Sequence, residues 1–164
     1  MKTLILATAL AALIAPLPAH AINDFVLITN DPLQNVALLE VEGIGNVLRI
    51  DQQHGGGAAN TVTLNVRGDF NGGAPGASFT GAALLPGLQP GSLVQRGNGN
   101  SMSFDVIGSH NLFAASQIGD SNIITGSISG SYNQASVMQV GNNNFVGFSQ
   151  TGFNNTISVS QTSW

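Results

Sequence analysis

Catalysis needs particular side chains brought to one place, and this chain of 164 residues is poor in them. It has no cysteine, eight Asp plus Glu, four Lys plus Arg and three histidines. His54 and His110 each fall in a turn signal, and no nucleophile or carboxylate cluster stands at a spacing that would join them. Neither an enzyme nor a metal or cofactor site is expected.

The group that does recur at fixed spacing is the carboxamide. Asn100, Asn111, Asn122, Asn133, Asn144 and Asn155 stand eleven residues apart, each three residues after a glycine: Gly97, Gly108, Gly119, Gly130, Gly141 and Gly152. The same G-x-x-N pattern stands upstream at Gly43/Asn46, Gly57/Asn60 and Gly68/Asn71, with Pro32/Asn35 as a degenerate unit. A primary amide both donates and accepts, so stacked copies can pass a hydrogen bond from each NH2 to the next carbonyl oxygen. A buried amide left out of such a ladder costs about 1–3 kcal/mol. The ends of a ladder are unpaired by construction, and another copy of the molecule could complete them.

The elements that would line up these amides follow from the rest of each unit. With glycine as position 1 and asparagine as position 4, positions 6, 8 and 10 are mostly apolar or Gln, as in Val62, Leu64, Val66 and Met102, Phe104, Val106. Positions 5, 7 and 9 are mostly small or polar, as in Ser101, Ser103 and Asp105. Alternation over about six residues closed by a glycine turn predicts a half-buried strand. Leu112, Ile123 and Phe145 are apolar on the outer side, where they could be contact points.

Position 10 doubles the period. Alternate units carry Val41, Val66, Val106, Ile128 and Gln150, while those between carry Gln52, Gln95, Gln117, Gln139 and Gln161. Equivalent positions then recur every 22 residues, so one rung holds two strands. The fold class predicted is all-β: a β-solenoid of about five two-strand rungs with cross-β stacking. Its organisation is residues 22–31 as an N-terminal segment, 32–71 as the first two rungs, 72–91 as a Gly/Pro-rich inserted loop, and 92–164 as the remaining rungs. Residues 22–31 suit either an imperfect first strand, with Asp24 at the Asn position and Asn30 at the Gln position, or a segment read by an export apparatus.

Charge is thin, 7% of residues against roughly 25% in ordinary soluble domains. Nothing basic is available for nucleic acid, and no small-molecule substrate is implied. From Ser121 onward there is no charged residue at all, and the last unit is as regular as an internal one, without the polar cap that keeps solenoids soluble. At the other end, Lys2, an apolar run over residues 4–15 and Ala19-His20-Ala21 predict a secretory signal peptide over residues 1–21.

The array resembles the curlin repeat, the unit of the secreted amyloid fibres called curli. The family pattern is Ser, five residues, Gln, one, Gly, two, Asn, one, Ala, three, Gln. Asn122 stands at its Ser position and Ile128 at its first Gln position, and Gly130, Asn133, Ala135 and Gln139 follow at the family spacing. Gln117-x-Gly119-x-x-Asn122, Gln139-x-Gly141-x-x-Asn144 and Gln150-x-Gly152-x-x-Asn155 with Gln161 reproduce most of it. This chain departs by having Asn at every strand start, Val or Ile for Gln in four of five odd strands, and a long loop after Asn71. The resemblance implies a subunit exported through a dedicated outer-membrane secretion channel and polymerised at the cell surface, with a nucleator, into a biofilm matrix fibre that could serve adhesion. It is compatible with a fibre-forming subunit or the nucleator, the charge-free C-terminal strands favouring the former. The site residues expected to form polymerisation ladders are the six asparagines from Asn100 to Asn155 with Gln95, Gln117, Gln139, Gln150 and Gln161. The six glycines from Gly97 to Gly152 are expected at the turns. The competing reading is a monomeric secreted solenoid that binds a flat surface or glycan, for which Thr61 and Thr63 supply only one rung of an outward array.

Overall fold

Alternating side chains favour strands, and strands whose inward residues match every 22 positions stack in parallel. The computed structural model describes residues 11–14, 23–30, 35–74, 76–83 and 85–164. Among them are β1 (Ala11–Ile14), β2 (Asp24–Thr29), β3 (Val36–Glu42), β4 (Val47–His54), β5 (Thr61–Arg67), β6 (Ser92–Gly97), β7 (Ser101–Ser109), β8 (Leu112–Ile118), β9 (Ile123–Ser131), β10 (Gln134–Val140), β11 (Phe145–Phe153) and β12 (Thr156–Thr162). The odd strands form one sheet in the order β1-β3-β5-β7-β9-β11, and the even strands form another in the order β12-β10-β8-β6-β4-β2. Every pairing is parallel. The chain crosses from sheet to sheet at each turn and winds an all-β solenoid of about six turns, slightly longer than the five rungs expected.

The register keeps like over like. Val41, Val66, Val106, Ile128 and Gln150 align in the odd sheet, and Gln52, Gln95, Gln117, Gln139 and Gln161 align in the even sheet. The 22-residue period is therefore structural. Between the sheets the inward positions 6 and 8 make a single apolar core running from Leu39 and Leu48 to Val137 and Val146. Fully burying one of its Phe or Leu side chains stabilises the fold by about 1.5–3 kcal/mol. Volumes are matched between rungs: Gly126 lies beneath Phe148 and above Phe104, whose rings meet edge-on with centroids 5.8 Å apart. A Cβ at Gly126 would stand 2.5 Å from the Phe148 ring, so the missing side chain is the space the two rings occupy.

The N-terminal segment is a strand. Its register differs by one residue from the expectation: Asn23, not Asp24, faces Asn46, and Thr29, not Asn30, faces Gln52. The reason is the amide. The Asn46 backbone N–H and Nδ2 both donate to Asn23 Oδ1, at 2.9 and 3.3 Å. Leu27 thereby packs against the core, while Asn30 exchanges hydrogen bonds with the His54 backbone. Within the expected leader, β1 pairs with β3. The rest of residues 1–21 with the expected cleavage site, and Pro32 of the degenerate first unit, lie outside the described residues.

The inserted loop leaves the stack undisturbed. Gly72 N–H donates to Asn111 O and Gly91 N–H to Phe113 O, so the strand departs at position 5 and returns at position 6. Between them the chain folds back over the outer side of the even sheet, where Phe79, Ala83 and Leu88 cover Leu112 and Ala114. A 3-10 turn, Gly81–Ala83, sits there, and Thr80 and Gln134 exchange hydrogen bonds. Leu112, apolar on the outer side, thus has its partner within the chain. A cavity of about 510 Å³ remains between this loop and β2 and β4.

Candidate functional site: the amide ladders and the strand edges

Each turn is built so that its asparagine points inward and along the stack. In Gly108-Ser109-His110-Asn111, Gly108 has φ +117 and His110 has φ +59. A Cβ on Gly108 would collide with the carbonyl oxygen of Gly130 on the next rung. That carbonyl accepts a hydrogen bond from Asn111 Nδ2 at 2.9 Å, so the glycine clears the space in which the amide is satisfied. Gly97, Gly119, Gly130, Gly141 and Gly152 repeat the positive φ of Gly108.

Two asparagine ladders result, one in each sheet. In the odd sheet Asn100 donates to Asn60 Oδ1, Asn122 to Asn100 and Asn144 to Asn122, each through both backbone N–H and Nδ2 at 3.0–3.1 Å. In the even sheet the chain of donors runs from Asn155 to Asn133, Asn133 to Asn111, Asn111 to Asn71, and on through Asn46 to Asn23. The glutamine ladder is confined to the even sheet and runs the other way. Gln52 Nε2 donates to Gln95 Oε1, Gln95 to Gln117, Gln117 to Gln139 and Gln139 to Gln161, at 3.0–3.1 Å. The second amide hydrogen of Gln95, Gln117 and Gln139 goes to a backbone carbonyl of the facing sheet, which ties the two sheets together. At about 1 kcal/mol net for each hydrogen bond the ladders are a substantial part of the stability.

Gln150 stands apart from the other site residues. It ends a column of Val and Ile; its Nε2 reaches Gln134 O at 3.3 Å, and its buried Oε1 has no partner among the described residues. A second fault is at Asn35, whose buried Oδ1 is likewise unpaired. It coincides with the three extra residues after Gln52: Asn60 Nδ2 keeps the usual bond to the next rung's glycine, Gly97 O, but gives its other hydrogen to Gln53 O and not to Asn35. The last asparagines change partner: Asn144 and Asn155 donate to Val140 O and Thr151 O, four residues back at the end of the preceding strand. Gln161 accepts from Gln139, and its NH2 has no protein partner among the described residues.

Sequence reasoning about positions 1, 4, 6, 8 and 10 missed what positions 2 and 3 do. On one edge of the solenoid Phe70, His110, Tyr132 and Phe153 form a continuous aromatic column, with ring centroids 5.1, 4.8 and 5.3 Å apart. On the opposite edge Asn98 donates to Asp120 Oδ1, Asp120 N–H to Asn142 Oδ1, and Asn142 N–H to Ser163 Oγ. Reading positions 2 and 3 only on alternate turns would have exposed both.

The geometry defines a class: a two-sheet parallel β-solenoid in which side-chain amides bond along the stacking axis, and in which strands β9 to β12 carry no charge. Residues 130–162, the span of β10, β11 and β12 with their turns, match the model of the Curlin associated repeat, consistent with the curlin repeat family. No curated protein and no solved structure matches the chain. Repeat and fold together point to a structural protein, and the repeat suggests a curli-type subunit.

Proposed function

We propose that this chain is a secreted subunit that polymerises at the cell surface into extracellular amyloid fibres of the biofilm matrix. One observation carries this reading: parallel, in-register amide ladders run through strands β5 to β12 and reach strands that bear no charge, where Gln150 Oε1 and the Gln161 NH2 have no partner among the described residues. A further copy stacked on β11 and β12 gives those amides their partners and continues both sheets. Asn100, Asn111, Asn122, Asn133, Asn144 and Asn155, with Gln95, Gln117, Gln139, Gln150 and Gln161, are then the residues that hold the polymer together. Residues 1–21 serve as the export leader. A nucleator and an outer-membrane channel are the partners that the curlin resemblance brings with it, and adhesion is the role it suggests for the fibre.

The test is dilution of residues 22–164 from denaturant. A lag followed by rising amyloid-dye fluorescence, with a reflection near ~4.7 Å along the fibre, is the expected result. A monomer that persists for days at micromolar concentration would overturn the reading and favour a surface-binding solenoid.

A further inference from the structure

The two outer faces of the solenoid are not alike. On the even sheet Ser92, Ala114, Ser116 and Ser136 are buried, because the loop after Gly72 lies across that side. On the odd sheet nothing covers the outer side among the described residues. Its outward positions on β9 and β11 are Ile123, Thr125, Ser127 and Ser129, and Phe145, Gly147, Ser149 and Thr151, a flat set of small residues with two large apolar ones. Phe145 is 64% exposed and lies beside Ile123, which is 42% exposed. Ring carbons of Phe145 come within 3.5 Å of where a Cβ of Gly147 would stand, so the ring lies along the face and shields little else. Charge is confined to the other half of this face, at Glu40, Glu42, Arg67 and Asp105 on β3, β5 and β7.

We propose that the outer face of the odd sheet over β9 and β11 is the contact through which two fibres of this chain associate side by side, its occupant being the same face of a second copy. The proposal rests on the fibre reading above. Charge selects the arrangement. Reversing the stacking direction of one copy about a two-fold axis parallel to the strands places Phe145 of each copy over Ile123 of the other. It also keeps the carboxylates of β3 away from each other. Area then sets when the contact forms. Two strands ~4.8 Å apart and seven residues long give roughly 220 Å² per copy, against roughly 800 Å² per partner in a stable interface. Single copies therefore do not pair through this face; a polymer repeats it many times and associates by avidity.

The experiment compares fibres of the wild-type chain with those of Ile123→Thr/Phe145→Thr and of Thr125→Lys, which leaves both apolar side chains in place. Dye kinetics report growth, and electron microscopy with sedimentation reports filaments per bundle. Both variants are expected to polymerise with wild-type kinetics while filaments per bundle fall at least about threefold, as when a multivalent contact is lost. Ile118→Thr, on the outer side of the even sheet, is expected to bundle as wild type. Fibres of both face variants that bundle like wild type, or equal loss of bundling in Ile118→Thr, would overturn the proposal. Wild-type chain that forms no fibre would instead overturn the polymer reading itself.

Discussion

At the scale of single residues, glycine and amide are two halves of one device. Gly108 holds a positive φ and also leaves room for the Gly130 carbonyl that Asn111 bonds. Gly76, in the inserted loop, has φ +87 but nothing within 4 Å of a would-be Cβ. Gly76→Ala should therefore cost only the backbone strain, about 1 kcal/mol, and Gly108→Ala at least about twice that. The urea midpoint of freshly diluted chain measures the difference. The amides can be tested in the same way. Removing Gln139 orphans the Gln117 NH2 and the Gln161 oxygen, and removing Asn133 breaks the even-sheet ladder between Asn111 and Asn155. Asn133→Ala with Gln139→Ala should lower stability by about 2–5 kcal/mol and slow fibre growth, since each buried orphan costs about 1–3 kcal/mol. Unchanged growth kinetics would show that apolar burial alone drives assembly.

At the scale of elements, the strands at the end of the stack matter most. Val159 on β12 turns toward the core while its strand pairs only with β10 among the described residues. Val159→Lys should place a charge beneath any strand that stacks on β12 and halt growth there, whereas Pro86→Lys in the loop should not. Equal growth of the two variants by dye fluorescence would argue against that edge. The strands themselves were legible in the sequence because alternation, glycine turns and the change of Gln for Val at position 10 all carry one message. The register of β2 was not. Asp24 and Asn23 are both able to accept a hydrogen bond, and only the position of Asn46 decides between them. The side-chain columns at the turns were hidden for a related reason: they recur on every second unit, so a single eleven-residue table averages Tyr132 with Asn143 and Asp120 with Ser109. The covering of Leu112 was also out of reach, since the loop that contacts it has no periodicity that tells where it folds.

At the scale of the whole molecule, the solenoid is polar along its axis in two opposed senses. Asparagine donors point toward the N-terminal strands and glutamine donors toward the C-terminal ones. The C-terminal end of the stack therefore offers both an acceptor, Asn155 Oδ1, and a donor, the Gln161 NH2, to a copy added in the same direction. The inserted loop shows how loosely this architecture depends on chain length. Its two ends, Gly72 and Gly91, occupy adjacent places in the β6 ladder, so everything between them is external to the stack. Closing a loop twice as long would cost only about 0.6 kcal/mol more. Within the loop, Gly76 has nothing within 4 Å of a would-be Cβ and is thus a natural grafting point. A foreign segment spliced there would be displayed once per subunit at a fixed pitch on one side of the filament, with the stacking strands indifferent to its sequence.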